Sequence, residues 1–351
     1  MLFPYPHEAT ANNWLHQSLV TMITNAHQSI QGGVTPQAWP ACIPDIYRPT
    51  LSRRHGLRDK FGLFIERLAA LSPQQQAAVV EALATQNDIV RLLAKQVDCP
   101  AIGELPASVR VPISDLFGYA FAILTDLGTR DELYEFIYTR MAHRICPFCG
   151  CESFASPQGA REDLDHYLLK DKYPFAAANL RNLAPMGREC NQKYKLTQDI
   201  LLNPDQSRRS SYFPYGAASV TVSLTGSTLF SGADPTAPTW QIQFAPDAEE
   251  THTWVHVFKI RERYINDVLN PEFGSWLEEF AYFCGATDRH LNTDAEVIDA
   301  LSRFILYQSN LRLQDRAFLK VEVFQVLHAE CSTGDRRALD LIKAMGLLGQ
   351  S

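Results

Sequence analysis

The clearest chemical feature of this sequence is a C-x-x-C pair, Cys146-Pro147-Phe148-Cys149. Two thiolates at this spacing can bind one Zn²⁺ from a tight turn. A redox pair of the same form would instead follow a strand and begin a helix in a βαβ unit. The pattern before the pair is helical and no βαβ unit follows it, so the pair favours zinc binding over thiol–disulfide exchange.

A carboxylate and an imidazole come next, at Asp165-His166. Metal-assisted phosphodiester hydrolysis needs this combination, because the carboxylate binds a hard cation and the imidazole takes a proton from water. Adjacent side chains on an extended chain point to opposite sides, so the pair can serve one site only where the strand ends or bulges. Such a dipeptide is common by itself, and it gains weight from the residues that follow.

Asparagines and a further cysteine follow in order, in the segments Asn179–Leu183 and Cys190–Lys195. The ordered set Cys-x-x-Cys, Asp-His, Asn-Leu, Cys-Asn resembles the HNH endonuclease family, whose core is the ββα-metal fold. The resemblance covers residues 146–195 and neither flank. The ordered set is specific, although each element alone is a weak signal.

The resemblance implies a role for each matching residue. His166 would be the general base that activates water, and Asn182 would hold its imidazole in orientation. Asp165 and Asn191 would bind a catalytic Mg²⁺ or Mn²⁺, because carboxylate and amide oxygens are hard ligands. Asp163 would be an additional acidic residue near this cation.

The same resemblance implies a structural Zn²⁺ with cysteine ligands (Cys146, Cys149 and Cys190). The C-x-x-C pair Cys146–Cys149 is a cysteine knuckle of the kind found at zinc sites. Families with such a knuckle usually have a second C-x-x-C pair, whose first cysteine is replaced here by Gly187. Cys151 is the candidate for the fourth ligand, and His143 is another. Without a fourth ligand the site would be incomplete, and its cysteines would be small buried core residues.

Four cations near the motif are predicted to contact nucleic acid (Lys193, Lys195, Arg208 and Arg209). The segment from His143 to Gly216 holds ten Lys/Arg and eight Asp/Glu, a net charge of +2 within a chain of net charge −7. A protein that coats nucleic acid non-specifically is usually basic. The charge therefore excludes that class for the whole chain and favours a small cutting core between acidic flanks.

The sequence predicts an α+β fold with three parts. Residues 1–142 form a helical domain for partner docking or scaffolding, and residues 143–213 form the ββα-metal core. Residues 214–351 form a C-terminal domain of a few strands and helices. The chain is mostly helical in this interpretation.

Local patterns support these three parts. An apolar face at helical spacing includes Phe61, Phe64 and Leu68, and Ser72-Pro73 is typical of a helix start. Thr129 with Glu132 predicts a capping box for the next helix. Alternating apolar residues from 220 to 244 predict two strands joined through 225–238, and helical spacing returns from 254 onward.

Composition narrows the class further. The chain has 46% hydrophobic residues and eight cysteines, and its N-terminal stretch lacks the basic and apolar regions of a secretory signal. We therefore expect a cytoplasmic protein without a membrane partner, whose cysteines bind metal or pack in the core rather than form disulfides. No glycine-rich phosphate loop is present, and His252 and His256 lack the glutamate of a zinc protease.

The sequence thus predicts a metal-dependent endonuclease that cuts or nicks DNA. HNH cores are reused in restriction and anti-phage defence, so this chain could be the cutting subunit of such a system, with a protein partner such as an ATPase or sensor subunit. Two alternatives stay open. One is a non-catalytic, zinc-stapled module that binds nucleic acid or protein, and the other is an HNH nuclease that acts on RNA.

Overall fold

The computed structural model describes residues 1–160, 162–217, 219–230 and 238–348. The protein is mostly helical, at 58%, with a few small antiparallel sheets. This confirms the α+β, mostly helical part of the predicted fold class. The ββα-metal core within it stays a prediction.

The chain divides into two compact units. Unit 1 contains residues 1, 3–144 and 154–218, and unit 2 contains residues 2, 145–153 and 219–351. Most of the segment predicted as a separate core, 154–213, therefore belongs to the same unit as the N-terminal helices. The cysteine knuckle at 145–153 belongs to unit 2.

The described residues of unit 1 form seven α-helices before the predicted core. These are α1 (Trp14–Gln31), α2 (Arg48–Leu51), α3 (His55–Ala69), α4 (Pro73–Asn87), α5 (Ile89–Leu93), α6 (Ala107–Asp126) and α7 (Thr129–Arg140). Helix α3 buries Phe61, Phe64 and Leu68, as the apolar spacing predicts, and packs on α6. Gly56 permits this approach, because a Cβ there would lie 2.7 Å from the ring of Tyr119.

The two predicted helix starts have different outcomes. Ser72 caps α4 in a reciprocal capping box with Gln75, and Pro73 occupies the first turn, which confirms that prediction. The predicted capping box of Thr129 and Glu132 is wrong, because Thr129 already lies inside α7 and Gly128 is the N-cap residue. Gly128 has φ 73°, a left-handed conformation that glycine adopts without a Cβ clash.

Helix α6 is, within the described residues, the one helix long and apolar enough to cross a membrane. Its apolar side chains are buried in unit 1, including Ile113, Leu116 and Phe117. It also contains Pro112 in its interior. The core helix of a globular unit shares these properties of length and composition.

The segment that carries the motif is a short hairpin followed by a helix. Strand β1 (Leu164–His166) pairs antiparallel with β2 (Leu183–Pro185), with Asp165 opposite Ala184. A π-helix (Cys190–Lys195) follows. The main chain of β2 accepts hydrogen bonds from two buried tyrosines, Tyr5 at Pro185 and Tyr215 at Leu183.

Unit 2 contains a second antiparallel pair and the C-terminal helices. Strand β3 (Thr221–Ser223) pairs with β4 (Gln243–Ala245), which confirms the predicted alternation; residues 231–237 of the predicted connection lie outside the described residues. The helices are α8 (Glu249–Val257), α9 (Ile260–Arg263), a π-helix (Tyr264–Leu269), α10 (Asn270–Ala286), α11 (Asp294–Ser309), α12 (Ala317–Ser332) and α13 (Arg336–Leu348). Their core is aromatic, with Phe280, Phe304 and Phe324 in mutual contact.

Acid should destabilise unit 1 through His16. This residue of α1 is 4% exposed, and burial lowers its pKa from 6.5 to about 4. The unfolded state then binds more protons between these pH values, so stability falls as the pH drops from 6.5 to about 4, by up to about 3 kcal/mol. Urea unfolding should show a smaller loss over this range in His16→Leu; an equal loss in both proteins would contradict the assignment to His16.

Candidate catalytic and metal sites

The side chains of Asp165 and His166 on strand β1 lie in different surroundings. The burial pattern along β1 has Leu164 and His166 buried and Asp165 half-buried, as alternation on an extended chain requires. The sequence interpretation needed the strand to end or bulge at this pair, and β1 does end at His166. The imidazole and the carboxylate nevertheless have separate partners.

The imidazole of His166 lies in an apolar environment. Its ring centroid is 4.3 Å from that of Phe121, and Nε2 is 3.0 Å from the carbonyl oxygen of Ala177. A carbonyl can only accept, so Nε2 carries the proton and Nδ1 holds the lone pair. Burial is the main cause that lowers the pKa of His166 to about 3, and the ring is therefore neutral at pH 7.

Asn182 fastens the loop between β1 and β2. It is completely buried, and Oδ1 accepts a hydrogen bond of 2.6 Å from the N–H of Leu168. Its Nδ2 donates to the carbonyls of Leu168 at 3.1 Å and Ala176 at 3.2 Å. Asn182 thus bonds both ends of the loop that runs from His166 to Ala177, whose carbonyl is the acceptor of the imidazole. It does not bond the imidazole itself.

Replacement of Asn182 by alanine should destabilise unit 1 by about 2–4 kcal/mol, because three hydrogen bonds are lost and their buried partners stay unsatisfied. Urea unfolding measures this change. The matched control is Asn310→Ala, since Asn310 is exposed and makes one side-chain hydrogen bond, to Leu306. Equal effects of the two substitutions would show that Asn182 does not brace the loop.

Asp165 forms an ion pair with a buried lysine. Lys195 Nζ lies 2.7 Å from Asp165 Oδ2 and donates to the carbonyl oxygen of His166 at 2.8 Å. The Lys195 side chain has no exposed surface, and that of Asp165 is 16% exposed. Burial raises the pKa of Asp165, and the ammonium of Lys195 opposes that shift.

Asn191, the other predicted ligand of the catalytic cation, lines a small cavity. The cavity measures about 180 Å³, and most of its described lining residues are polar or charged (Glu162, Asp163, Arg188, Asn191 and Gln192, with Ala160 and Met186). Asp163 and Asn191 thus face one cavity. Neither Asp165 nor His166 is among the described residues that line it.

The four cations predicted to contact nucleic acid differ in exposure. The Lys193 side chain is 65% exposed and pairs with Glu189. Lys195 is buried, so its ammonium is not available to a phosphate in this conformation. Arg208 donates to three main-chain carbonyls and pairs with Asp98, and Arg209 is buried and donates to the carbonyl of Asp199. The placement of the last three differs from their predicted role, because folding uses their charges internally.

The cysteine knuckle of unit 2 is a tight turn. The N–H groups of Cys149 and Gly150 donate to the carbonyl of Cys146, and the N–H of Cys146 donates to the carbonyl of Glu152. Gly150 has φ 71°, and a Cβ there would lie 2.5 Å from a methyl carbon of Leu2. Only glycine fits this position without displacing a neighbour.

This turn gathers three potential metal ligands. Cys146 Sγ, Cys149 Sγ and a carboxylate oxygen of Glu152 lie within 4.8 Å of one another, and both cysteines are buried. Ligand atoms around a tetrahedral Zn²⁺ lie at about 2.0–2.3 Å from the ion, so this spacing and these donors fit zinc. The group could hold a metal ion.

The C-terminal helices of unit 2 hold the knuckle by its main chain. Trp254 Nε1 donates to the carbonyl of Phe148 at 2.8 Å. The hydroxyl of Tyr264 donates to the carbonyl of Cys149 at 2.9 Å. The guanidinium of Arg263 lies 3.5 Å from Glu152 Oε2 and is 6% exposed. One buried cation thus offsets part of the negative charge that deprotonated ligands would carry.

The remaining zinc candidates have other surroundings. Cys151 is not in the ligand group; its Sγ donates to the carbonyl of Cys149 at 3.3 Å, and its bond with the Cys149 side chain, together with burial, raises its pKa. Both ring nitrogens of His143 in unit 1 are buried, with no hydrogen-bond partner among the described residues. Cys190 is buried and begins the π-helix of unit 1.

Two features of the site are not predicted from the sequence: Glu152 as a potential ligand and Lys195 as the partner of Asp165. Glu152 follows the C-x-x-C pair by three residues, a signal that could have been read as a third ligand in the same turn. No local pattern pointed to the pair of Asp165 and Lys195, which are thirty residues apart.

Comparisons with known protein families, characterised proteins and solved structures found no match to this chain.

Proposed function

We propose that unit 1 carries a metal-dependent endonuclease site of the HNH type that hydrolyses DNA phosphodiester bonds. The observation that carries the proposal is the order β1, β2, helix. Asp165-His166 ends the first strand, Asn182 directly precedes the second, and Asn191 lies in the helix that follows. These are the positions that the ordered motif implies for a ββα-metal core.

In this proposal His166 accepts the proton of the attacking water through Nδ1. Nε2 is committed to the carbonyl of Ala177, which fixes the tautomer and leaves the lone pair on Nδ1. Asn182 acts as a positioning residue, because its hydrogen bonds fasten the loop that presents Ala177 to the imidazole. Phe121 against the ring excludes water from one side.

Asp165 and Asn191 are the residues proposed to hold Mg²⁺ or Mn²⁺. Their donor oxygens suit either ion, whereas only Asn191 lines the cavity described above. When bound, the ion would stabilise the charge that develops on the phosphate and the leaving oxygen. The ion pair of Asp165 with Lys195 limits this fit, since the carboxylate already has a cation. The exposed ammonium of Lys193 is proposed to meet the phosphate backbone.

The test is cleavage by the purified full chain of supercoiled DNA, linear DNA and RNA, each with Mg²⁺, Mn²⁺ or EDTA. Nicked or linear products that require the divalent cation would support the DNA endonuclease. Cleavage of RNA alone would move the substrate to RNA. If no nucleic acid is cut with either cation, the catalytic proposal fails.

We further propose that the knuckle binds a structural Zn²⁺. Cys146, Cys149 and Glu152 would be ligands. The proposal rests on the donor set of the knuckle, in which two sulfurs and a carboxylate approach closely. Close negative groups in a buried turn are stabilised by a bound cation.

A second candidate function is a non-catalytic, zinc-stapled module that binds nucleic acid or protein. One observation favours it: Asp165 is neutralised by Lys195, so this charge is satisfied without a cation ligand. Tightly bound zinc without cation-dependent cleavage would favour the module.

The acidic flanks support a further proposal about context. Outside residues 143–216 the net charge is −9, so those regions would bind DNA weakly by charge. We infer that a protein partner, such as an ATPase or sensor subunit of a defence or restriction system, delivers or restrains the site. Pull-down from the native host tests this inference, and recovery of only a free, fully active monomer would contradict it.

A further inference from the structure

We propose that Lys195 is an internal cation that competes with divalent cations for Asp165, so that the carboxylate binds Mg²⁺ or Mn²⁺ only when the ammonium leaves. The inference rests on the proposed function in one respect: it takes Asp165 as the carboxylate that binds the catalytic cation. It adds a residue that sets the cation affinity of that site.

The ammonium of Lys195 is held by two oxygen atoms of β1. Nζ lies 2.7 Å from Asp165 Oδ2 and 2.8 Å from the carbonyl oxygen of His166. A carboxylate oxygen and a main-chain carbonyl are also the donors that a hard divalent cation prefers. The lysine therefore occupies a position suited to a cation, with a positive charge of its own.

The backbone after the π-helix fixes this lysine in place. Lys195 is the last residue of the π-helix, and Leu196 follows with φ 43°, a conformation that a leucine adopts only when its surroundings impose it. The N–H of Leu196 donates to the carbonyl of Asn191 at 3.1 Å. This bond links the end of the helix, and thus Lys195, to the second proposed ligand of the cation.

Two cations cannot share Asp165 without strong repulsion. Mg²⁺ binds carboxylate oxygens at about 2.0–2.1 Å, and the ammonium lies 2.7 Å from one oxygen of the same group. Their charges would then be a few ångströms apart in a mostly buried site, where water screens them poorly. In this proposal the divalent cation therefore binds as Lys195 leaves, and the cost of that displacement lowers the affinity.

Displacement would also free the carbonyl of His166. The ammonium of Lys195 donates to this carbonyl. Displacement of the ammonium would therefore remove a hydrogen bond from the main chain of His166, the proposed general base. Lys195 is a positioning residue in this scheme, and cation binding and the placement of His166 become coupled through it.

The experiment measures Mn²⁺ affinity by electron paramagnetic resonance on the zinc-loaded full chain. Lys195→Met should bind Mn²⁺ about tenfold or more tightly than the wild type, because the competing charge is removed. Lys60→Met is the matched control, since this lysine of α3 in the same unit lies 4.0 Å from Asp115 and has no role in the proposed site, and it should show no gain. The gain should disappear in Asp165→Asn/Lys195→Met.

Wild-type affinity in folded Lys195→Met would overturn the proposal, as would a gain that survives Asp165→Asn. Should zinc-loaded Lys195→Met be unfolded without Mn²⁺ because Asp165 loses its counter-ion, Mn²⁺-dependent refolding followed by circular dichroism replaces the affinity measurement. Refolding in Mn²⁺ supports the proposal, and failure to refold overturns it.

These readouts do not depend on cleavage. If Lys195→Met gains Mn²⁺ affinity and no variant cuts DNA, the proposed endonuclease fails while the cation exchange stands. If the wild type cuts DNA and Lys195→Met shows no gain, the exchange fails and the endonuclease stands.

Discussion

Replacing His166 by alanine should lower Mg²⁺-dependent cleavage of supercoiled DNA by about 10²-fold, the low end of the contribution of a positioned general base, because burial lowers the pKa of this imidazole to about 3 and makes it a weak base. The imidazole is the group whose tautomer the structure determines, with Nε2 bonded to Ala177 and the lone pair on Nδ1. Alanine leaves the attacking water without a proton acceptor. Initial rates of nicking, measured at saturating Mg²⁺, give the change.

The substitution also removes a buried side chain beside Phe121, so loss of the fold must be separated from loss of the base. Thermal unfolding of His166→Ala identifies the temperatures at which the variant is folded, and rates are compared there. His256→Ala is the matched control, because this histidine is exposed on α8 of unit 2. A folded His166→Ala that cuts as fast as the wild type would remove His166 from the mechanism and favour the non-catalytic module.

Replacing Cys149 by serine should remove zinc from the protein and destabilise unit 2. A hydroxyl is a poor zinc ligand, and structural zinc supplies several kcal/mol of folding free energy in small sites. Each kcal/mol corresponds to about 2–4 °C in melting temperature for a unit of this size, so we expect a decrease of about 10 °C or more. Elemental analysis gives the metal content, and calorimetry gives the melting temperature.

The control for this substitution is Cys42→Ser. Cys42 is half-buried in unit 1 and belongs to no group of potential metal ligands among the described residues, so its replacement should leave the zinc content unchanged. Zinc retained at full occupancy by Cys149→Ser would show that the knuckle is not the metal site. Glu152→Gln then asks whether the carboxylate is a ligand, since the amide keeps the shape and removes the charge.

Much of the secondary structure can be predicted from local patterns in the sequence. The apolar spacing of α3, the Ser72 cap of α4 and the alternation in β3 and β4 depend on residues close together in the chain. The predicted start of α7 is wrong, because Gly128 in a left-handed conformation is the N-cap residue in place of the predicted threonine, and α7 begins at Thr129. Such a choice depends on the turn that precedes the helix.

The candidate chemistry follows from the order of residue types along the chain. The C-x-x-C pair, Asp165-His166, Asn182 and Asn191 are readable there because each motif is short and the spacing between motifs is limited. The spacing of the motifs does not show the hydrogen-bond partners of Asn182, which only the folded structure determines. This residue bonds the main chain of Leu168 and Ala176 rather than the imidazole, because the loop closes around its side chain.

The ion-pair and hydrogen-bond partners of the charged side chains are determined by tertiary packing. Lys195 and Arg208 were expected at a phosphate backbone, yet both are used to hold the protein together. A lysine thirty residues from Asp165 pairs with it only because the π-helix returns the chain to β1. Likewise, the tight turn at Gly150 places Glu152 rather than Cys151 with the two thiols. The types of residues and their order thus indicate which metal-binding and catalytic groups the chain contains. The free energy of burying each charge determines which of these groups lie in contact in the folded protein.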